Sequence, residues 1–411
     1  MTTGSRILIA AFSGVICEKI IGLLAAVASN HLFANVYGAY FFGELQFALS
    51  LAYVVGSMGL VFSAEAVAPI LGKHPRLRHI VIYQAFRLRL GSSLTVAIIF
   101  LTAVAFAIHS SSTTITLVAG LVILVEPVSL GALMAYAETR PWVITRAKAY
   151  ASGARVLWLV MAAHASVGAA VASLAWPLEA CVAAAAPFSR YRTLAWDKPK
   201  HLFGSELIAK TLVVRGLKIW PAIAASVLVL RMDRLLLGVL MSKSDLGIYS
   251  AAAALVEQWN SVGVTLSLAL APSMVYAARG EHRVRTRALG LAAVLAAIAF
   301  VAWITSFFIG ERIFLMIYGR DFAAGVPVMI FASGCAIVSF ADAGLSTWLV
   351  AERLYALVVL KQTLTIAAIG LLPLIVPSVL LMYAPSIATA ASLTVFWCTV
   401  WTRALVRRQT A

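Results

Sequence analysis

The segment ALGLAAVLAAIAFVAWITSFFI (residues 288–309) contains no charged side chain. About 20 apolar residues in an α-helix cross the hydrocarbon core of a bilayer, so this segment predicts a transmembrane helix. Arg283, Arg285 and Arg287 precede it and place positive charge at one of its ends. The same two features, an apolar run and a basic flank, recur along the whole chain.

Twelve runs of this kind can be marked, and the chain as a whole is 62% hydrophobic and 12% charged. A soluble domain averages about 45–50% apolar and about 25% charged residues, so lipid must be the main solvent of this chain. Only His164, Ser166 and Gly168 mark the turn within residues 149–188. The predicted spans are residues 7–33, 40–63, 91–109, 114–136, 149–167, 168–188, 211–240, 246–274, 288–309, 323–350, 356–376 and 380–402.

The basic residues alternate from one side of these spans to the other. Of the 32 Lys and Arg residues, 23 fall at the two termini or in alternate loops, among them Arg89, Lys148 and Lys361. Lys361 can also lie one turn inside its helix and snorkel. The intervening loops hold Lys243, Arg312 and Arg320. By the positive-inside rule, both termini and the basic loops are predicted to be cytoplasmic, in a multi-pass protein of the bacterial inner membrane. This distribution explains the net charge of +16 without nucleic acid as a partner.

The longest polar segment follows the sixth span and divides the chain in two. The segments VYGAYFFGELQFAL (36–49) and DLGIYSAAAALVEQ (245–258) open the second span of each half and resemble each other. The predicted fold is therefore an all-α integral membrane protein of about 12 transmembrane helices, in two pseudo-repeated six-helix lobes around a central cavity. The predicted parts are an N-terminal lobe (1–188), a cytoplasmic linker (189–210) and a C-terminal lobe (211–411).

The chain lacks the sequence motifs of common membrane and soluble enzymes. It has no Walker loop, no G-x-S-x-G elbow and no H-E-x-x-H helix, and no loop is large enough to form a soluble domain. Cys17, Cys181, Cys335 and Cys398 are far apart within apolar runs, which indicates packing residues and neither a metal site nor a disulfide framework. We therefore expect a transporter without a cofactor, and not an enzyme.

Charged residues inside the predicted spans are the candidates for the functional site. Each costs about 2.5–3.5 kcal/mol near the middle of a bilayer, so it should face the interior of the helix bundle or a water-filled cavity. The bases are Lys19, Arg155, Arg215, Lys218, Arg231 and Arg234, and the acids include Glu18, Glu44, Glu126, Glu179, Asp233, Glu257 and Asp342.

Arg231 and Arg234 are three residues apart on one face of the seventh span, where two like charges repel unless an anion lies between them. A phosphate-bearing ligand suits two guanidinium groups. The alternative is that both side chains reach the outer headgroups. Arg215 and Lys218 form a second such pair near the cytoplasmic end, for which the same two interpretations hold.

Glu18 and Lys19 lie in the first span and point about 100° apart, so they cannot pair with each other. They either form ion pairs with other helices or line a cavity. Glu257 lies on a stripe of small and polar residues of the eighth span, which fits a close helix contact or a cavity wall. The predicted substrate-binding, cationic chamber consists of Lys19, Arg215, Lys218, Arg231 and Arg234.

Two segments resemble the polysaccharide repeat-unit (lipid-linked oligosaccharide) flippases of the multidrug/oligosaccharidyl-lipid/polysaccharide exporter superfamily. MDRLLLGVLMSKSDLGIYSAAAAL (232–255) resembles the end of that family's seventh span and the Gly-x-Tyr opening of its eighth. IYGRDFAAGVPVMIFASGCAIV (317–338) resembles its aromatic-Gly-x-acid-aromatic loop before span 10. These motifs are degenerate, although the twelve-span layout covers the whole chain.

The resemblance implies that the protein flips a polyprenyl-diphosphate-linked oligosaccharide to the outer leaflet by alternating access, for exopolysaccharide, capsule or O-antigen synthesis. It implies membrane lipids, a polysaccharide polymerase and export machinery as partners. Lys19 and Arg231 suit the cations of that family's cavity, and Glu18, Glu257 and Asp342 are candidates for coupling to a cation. The alternatives are a cation-coupled MATE-type multidrug antiporter and a membrane polysaccharide polymerase or ligase.

Overall fold

A computed structural model of the protein describes residues 3–59, 67, 70–71, 77–107, 111–137, 140–196, 205–276 and 281–409. Helices account for nearly all of these residues, and they include no β-strand. The α-helices are α1 (Thr3–Met58), α2 (Arg78–Ala107), α3 (Ser111–Val125), α4 (Leu130–Ala137), α5 (Pro141–His164), α6 (Ala169–Ala172), α7 (Ala175–Trp196), α8 (Ser205–Leu240), α9 (Lys243–Ala271), α10 (Glu281–Tyr318), α11 (Gly325–Ala351), α12 (Tyr355–Ile375) and α13 (Ala384–Gln409).

Helix α1 contains the first predicted span and residues 40–58 of the second, joined by a kink where a loop was expected. Gly38 interrupts its helical geometry with a φ of 78°, a conformation that a glycine adopts without steric cost. Gly319, in the predicted loop before α11, has a φ of 86° for the same reason. A 3₁₀ turn (Glu126–Ser129) containing Pro127 joins α3 to α4, since proline lacks the N–H that continues a helix.

The prediction of an all-α membrane protein of about twelve spans is confirmed. The described residues form twelve membrane-length helical segments: the two arms of α1, then α2, α3 with α4, α5, α7 and α8 to α13. The doubtful pair at 149–188 is confirmed as two helices, because α5 ends at His164 and a turn with Ser166 at a φ of 50° follows it.

Several helices extend beyond the apolar runs and include basic residues that the sequence assigned to loops. Helix α2 begins at Arg78, and not near residue 91. Arg89 is buried in it and forms an ion pair with Glu126 at 2.6 Å between Nη2 and Oε2. The assignment of Arg89 to a loop was wrong, because a charged residue can continue a membrane helix when a neighbouring helix supplies its counter-ion.

Eight helical segments among the described residues are long and apolar enough to cross a membrane, one of them covering both arms of α1. Helices α5, α8 and α9 are absent from this set although each has 24 residues or more. These three helices carry Arg155, Arg231 and Glu257 in their interiors. The candidate site residues Arg231 and Glu257 thus lie on helices that composition alone does not identify as membrane spans.

The chain forms two compact units, unit 1 (Met1–Val227) and unit 2 (Leu228–Ala411), which divide within α8. In unit 1, Leu212 of α8 joins a core with Val81 and Met134, and the Trp220 indole donates a hydrogen bond to the Ser57 carbonyl at 3.0 Å. The boundary between the two compact units, at Val227 and Leu228, therefore lies later in the chain than the polar segment 189–210. The lobe boundaries 1–188 and 211–411 stay a prediction of the sequence.

The core of unit 2 depends on close contacts between α10 and α11. Its buried apolar residues include Leu295, Phe340 and Phe396. Gly344 of α11 faces the backbone of Ala292, so that a Cβ at Gly344 would lie 2.6 Å from the Ala292 Cα. Only a glycine permits this approach of the two backbones.

We therefore expect Gly344→Ala to lower the free energy of unfolding by about 1–3 kcal/mol, the usual cost of overpacking a core. Gly290→Ala on α10 is the matched control, because a Cβ there meets nothing within 4 Å. It should be neutral or stabilise the helix by up to about 1 kcal/mol. Thermal unfolding of the two variants in the same detergent tests this, and equal stabilities would contradict the close contact.

Candidate functional site

Two arginines of α8 share one carboxylate of α9 in unit 2. Nη1 of Arg234 lies 2.5 Å from Oε1 of Glu257, and Nη1 of Arg231 lies 3.5 Å from Oε2 of the same side chain. Arg231 and Arg234 are three residues apart, which places both guanidinium groups on the face of α8 that Glu257 approaches. Glu257 thus lies between two cations that would otherwise repel each other.

The two arginines differ sharply in exposure. Arg234 is completely buried and is the largest fully buried side chain among the described residues. The side chains of Arg231 and Glu257 are 27% and 30% exposed. The prediction that both arginines reach the headgroups is therefore wrong for Arg234. The tight, buried pair anchors Glu257, and the loose pair leaves part of the Arg231 guanidinium accessible.

Asp233 and Tyr249 complete this cluster. The Tyr249 hydroxyl donates a hydrogen bond to Oδ2 of Asp233 at 2.7 Å. Oδ1 of Asp233 and Nε of Arg234 are buried without a hydrogen-bond partner among the described residues. With Arg231, Arg234, Asp233 and Glu257, the cluster has two positive and two negative groups. It is balanced in formal charge, which the sequence did not predict.

A second ion pair of unit 2 holds Asp342, which the sequence proposed for ion coupling. The Lys361 ammonium lies 2.8 Å from each oxygen of Asp342 and 2.7 Å from Oγ of Ser346. The Trp397 indole donates a further hydrogen bond to Oδ1 of Asp342 at 2.8 Å. Lys361 is 9% exposed, so the interpretation of it as a loop or snorkelling residue was wrong. Its ammonium occupies the position that a coupling cation would need at Asp342.

The remaining predicted bases lie in unit 1. Lys19 and Lys218 are exposed, and Arg215 is half-buried. Among the described residues, none of the three is within ion-pair or hydrogen-bond distance of an acid. Glu18, beside Lys19 in the sequence, is half-buried and has contacts of its own. The structure therefore brings Arg231, Arg234 and Glu257 together, whereas no acid of the described part of the chain forms an ion pair with Lys19, Arg215 or Lys218.

Sequence reasoning missed a charge network between α1, α5 and α7. Glu179 pairs with Arg155, and its Oε1 accepts a hydrogen bond from the Lys148 ammonium at 2.7 Å. Nε of Arg155 donates to Oγ of Ser29 at 2.7 Å. Lys148 was assigned to a cytoplasmic loop, and this was wrong, because α5 begins at Pro141. The spacing of seven residues between Lys148 and Arg155, which places both on one helix face, could have revealed it.

The charges inside the helices do not balance. Glu126, Glu179, Glu257 and Asp342 each pair with at least one base. Glu44 is buried, and its Oε2 has no hydrogen-bond partner among the described residues. Glu18 and Asp233 are the other two candidate acids inside these helices. Against the seven acids stand nine bases, namely Lys19, Arg89, Lys148, Arg155, Arg215, Lys218, Arg231, Arg234 and Lys361. The formal surplus of these groups within the described helices is therefore two positive charges, and Lys19, Arg215 and Lys218 are the bases without an acidic partner among the described residues.

The residues that the structure describes form no metal site. They contain no group of three or more His, Cys, Asp or Glu residues that could hold a metal ion. Cys17 and Cys335 are half-buried, Cys181 and Cys398 are exposed, and all four are free thiols.

The different exposure of the two arginines yields a stability prediction. Removal of one partner from a buried ion pair costs about 3–5 kcal/mol, so Arg234→Met should destabilise the protein by that order. Arg231→Met should cost less than about 1 kcal/mol, as for a partly exposed pair. Unfolding of both variants in the same lipid nanodiscs is the measurement. Equal losses of unfolding free energy would contradict this prediction, because both arginines would then stabilise Glu257 to the same extent.

No family model and no curated protein matches the sequence. Solved structures share its fold at low sequence identity, and three of them are described in turn. The lipid II flippase MurJ in an inward closed conformation superimposes with a TM-score of 0.71 at 11% identity, over 95% of this chain and 87% of that chain. An inward-facing multidrug resistance MATE family transporter of the MOP superfamily gives 0.61 at 13% identity, over 96% of each chain.

The third structure is a MOP superfamily transporter from Pyrococcus furiosus, described as having a binding pocket of reverse polarity that suggests a different function. It gives a TM-score of 0.52 at 12% identity, over 99% of this chain and 96% of that chain. At such identities the likeness establishes the fold and leaves the substrate open. The chain is a multi-pass membrane protein with the fold of the MOP-superfamily transporters.

Proposed function

We propose that the protein flips polyprenyl-diphosphate-linked oligosaccharide repeat units across the bacterial inner membrane, for the synthesis of exopolysaccharide, capsule or O-antigen. The observation that carries this proposal is the positive surplus inside the helices. A charge within a membrane domain is retained where it pairs or meets a substrate, and Lys19, Arg215 and Lys218 have no described acid to pair with. Their complement is an anionic ligand.

Arg231 is the residue of unit 2 best placed to meet such a ligand. Its contact with Glu257 is long at 3.5 Å, while Arg234 holds that carboxylate at 2.5 Å. A diphosphate presents several strong acceptor oxygens, and guanidinium geometry suits them in pairs. Arg231 can therefore turn toward a diphosphate while Arg234 keeps Glu257 in place.

The fold supports the same proposal. The likeness to a structure named as a lipid II flippase covers 95% of the chain. Both termini and the basic loops are proposed to be cytoplasmic, so the diphosphate would start on the inner side. Its outward movement across an inside-negative membrane gains about 2.3 kcal/mol per charge per 100 mV, which supplies part of the driving force.

A cation-coupled multidrug antiporter is the second candidate, because MATE transporters have the same fold. Its substrates are usually cationic and would need a surplus of acids. In this chain Glu257 and Asp342 are both occupied by internal bases. The charge balance therefore favours an anionic substrate over a cationic one.

Substitution of the proposed ligand cations should stop polymer export in the cell. We expect Lys19→Ala and Arg231→Ala each to lower export about 10- to 100-fold, the loss that corresponds to one charge-assisted hydrogen bond of about 1.5–3 kcal/mol. Sugar-linked lipid should accumulate on the cytoplasmic leaflet. Lys210→Ala is the matched control, since Lys210 is an exposed base nearer the start of α8.

The measurement is polymer at the cell surface and labelled lipid intermediate in the inner leaflet. Normal polymer in a deletion strain that lacks a redundant transporter would refute the flippase. Hypersensitivity to drugs with normal polymer would identify the antiporter. Formation of glycosidic bonds by the purified protein would identify a polymerase or ligase.

A further inference from the structure

Helices α1 and α5 of unit 1 run side by side in the same direction, and polar contacts join them along their length. Each contact pairs a later residue of α1 with a later residue of α5 or of the turn that follows it. The contacts are Thr145 Oγ1 to the Gly14 carbonyl at 2.9 Å, Arg155 Nε to Ser29 Oγ at 2.7 Å and Tyr37 hydroxyl to the Val167 carbonyl at 3.0 Å. We refer to this line of contacts as the α1–α5 seam.

Lys148 lies in the α1–α5 seam with its side chain across Gly22. A Cβ built on Gly22 would lie 3.4 Å from Cε of Lys148, so the absence of a larger side chain makes room for the lysine. The side chain of Lys148 is 33% exposed. Its ammonium has three N–H groups, of which Glu179 accepts one. The remaining donors are available to a further acceptor.

Glu179 cannot neutralise the cations that it contacts. One carboxylate serves both Arg155 and Lys148. Arg155 is buried, bonded to Ser29, and its guanidinium carbon lies 5.9 Å from the centre of the Trp176 ring. Arg155 is thus fixed inside the unit. Lys148 is the partly exposed cation of this network, so the surplus positive charge can meet a ligand there.

Lys19 adds a second cation on the same face of α1. It precedes Gly22 by three residues, and side chains at this spacing are neighbours on a helix surface. Lys19 is exposed and contacts no acid among the described side chains. Glu18 points about 100° away from it and is half-buried with contacts of its own.

The two lysines lie toward one end of the unit. Nineteen residues separate Lys19 from the kink at Gly38, which is about 28 Å along a helix at 1.5 Å per residue. The hydrocarbon core of a bilayer is about 30 Å thick. With Gly38 at one edge of the core, Lys19 and Lys148 lie close to the other edge, at the level where lipid phosphates begin.

We infer that Lys19 and Lys148 form a phosphate-binding subsite in unit 1, with Gly22 as its floor and Glu179 as the group that positions Lys148. Its ligand is a phosphate or diphosphate group, carried by a lipid or free in solution. Two ammonium groups suit this chemistry because each is a compact charge with several rotatable donors. The role of the subsite as an entry site for a diphosphate-linked lipid rests on the proposed function. Its ability to bind phosphate does not depend on that function.

The test is a binding titration of the full chain in phosphatidylcholine nanodiscs with three probes: polyprenyl diphosphate, inorganic diphosphate and phosphatidylglycerol. Lys148→Met should weaken binding of the polyprenyl diphosphate about tenfold or more, whereas Lys148→Arg, which keeps the charge, should stay within about threefold. Arg146→Met is the matched control, because Arg146 is an exposed base of α5 about 200° around the helix from Lys148. It should leave the affinity within about twofold.

Gly22 provides an independent pair of variants that leaves every charge in place. Gly22→Ala should be tolerated, since its Cβ meets Lys148 at an ordinary contact distance of 3.4 Å. Gly22→Leu should displace the lysine and weaken binding as much as Lys148→Met does. The pair keeps the inference testable if Lys148→Met fails to fold.

Each outcome decides the inference. Binding of inorganic diphosphate as tightly as the lipid probe identifies a site for free phosphate, and binding of lipid probes alone identifies a headgroup site. Equal affinities of Lys148→Met and Arg146→Met, or a wild-type protein that binds none of the probes, would overturn the subsite. If Lys148-dependent binding is found and the protein moves no lipid-linked oligosaccharide, the subsite stands and the proposed function falls.

Discussion

The cost of placing a charge in hydrocarbon determines how the helices of this protein pack. Each such charge costs about 2.5–3.5 kcal/mol near the middle of a bilayer unless a partner or water compensates it. Four acids therefore pair with bases of other helices: Glu126 with Arg89, Glu179 with Arg155 and Lys148, Glu257 with Arg234 and Arg231, and Asp342 with Lys361. These pairs specify which helices pack together, because a different arrangement would leave a buried charge alone.

The same cost indicates a role for the bases that these pairs do not fully neutralise. Lys19, Arg215 and Lys218 pair with no described acid, and Lys148 shares Glu179 with a second cation. Arg231 holds its counter-ion loosely at 3.5 Å. An anionic substrate compensates such groups, and a cationic drug does not. The fold alone cannot make this distinction, because a lipid II flippase and multidrug transporters share it.

Much of the fold could be predicted because apolar runs and basic flanks are local signals. The run at 288–309 lies within α10, and the turn at His164–Gly168 separates two helices as expected. Ion pairs between helices were not predictable, since their partners are 19 to 37 positions apart in the sequence and need the tertiary arrangement of the helices to meet. Lys148 and Lys361 were assigned to loops because each is a base beside an apolar run. Only the acid with which each base pairs in the structure shows that it lies within a helix. Arg231, Arg234 and Glu257 were identified as candidates, but their mutual contact was not.

We propose that the positive surplus inside the helices selects the substrate by its diphosphate. The most direct measurement is translocation by the purified protein in liposomes, with two fluorescent lipids that carry the same oligosaccharide on the same polyprenyl chain. One lipid has the diphosphate, and in the other a neutral linker replaces it. We expect the protein to move the diphosphate lipid at least about tenfold faster than the neutral one, because the neutral lipid lacks a charge-assisted contact. Equal rates for both lipids, or transport of cationic dyes in their place, would contradict it.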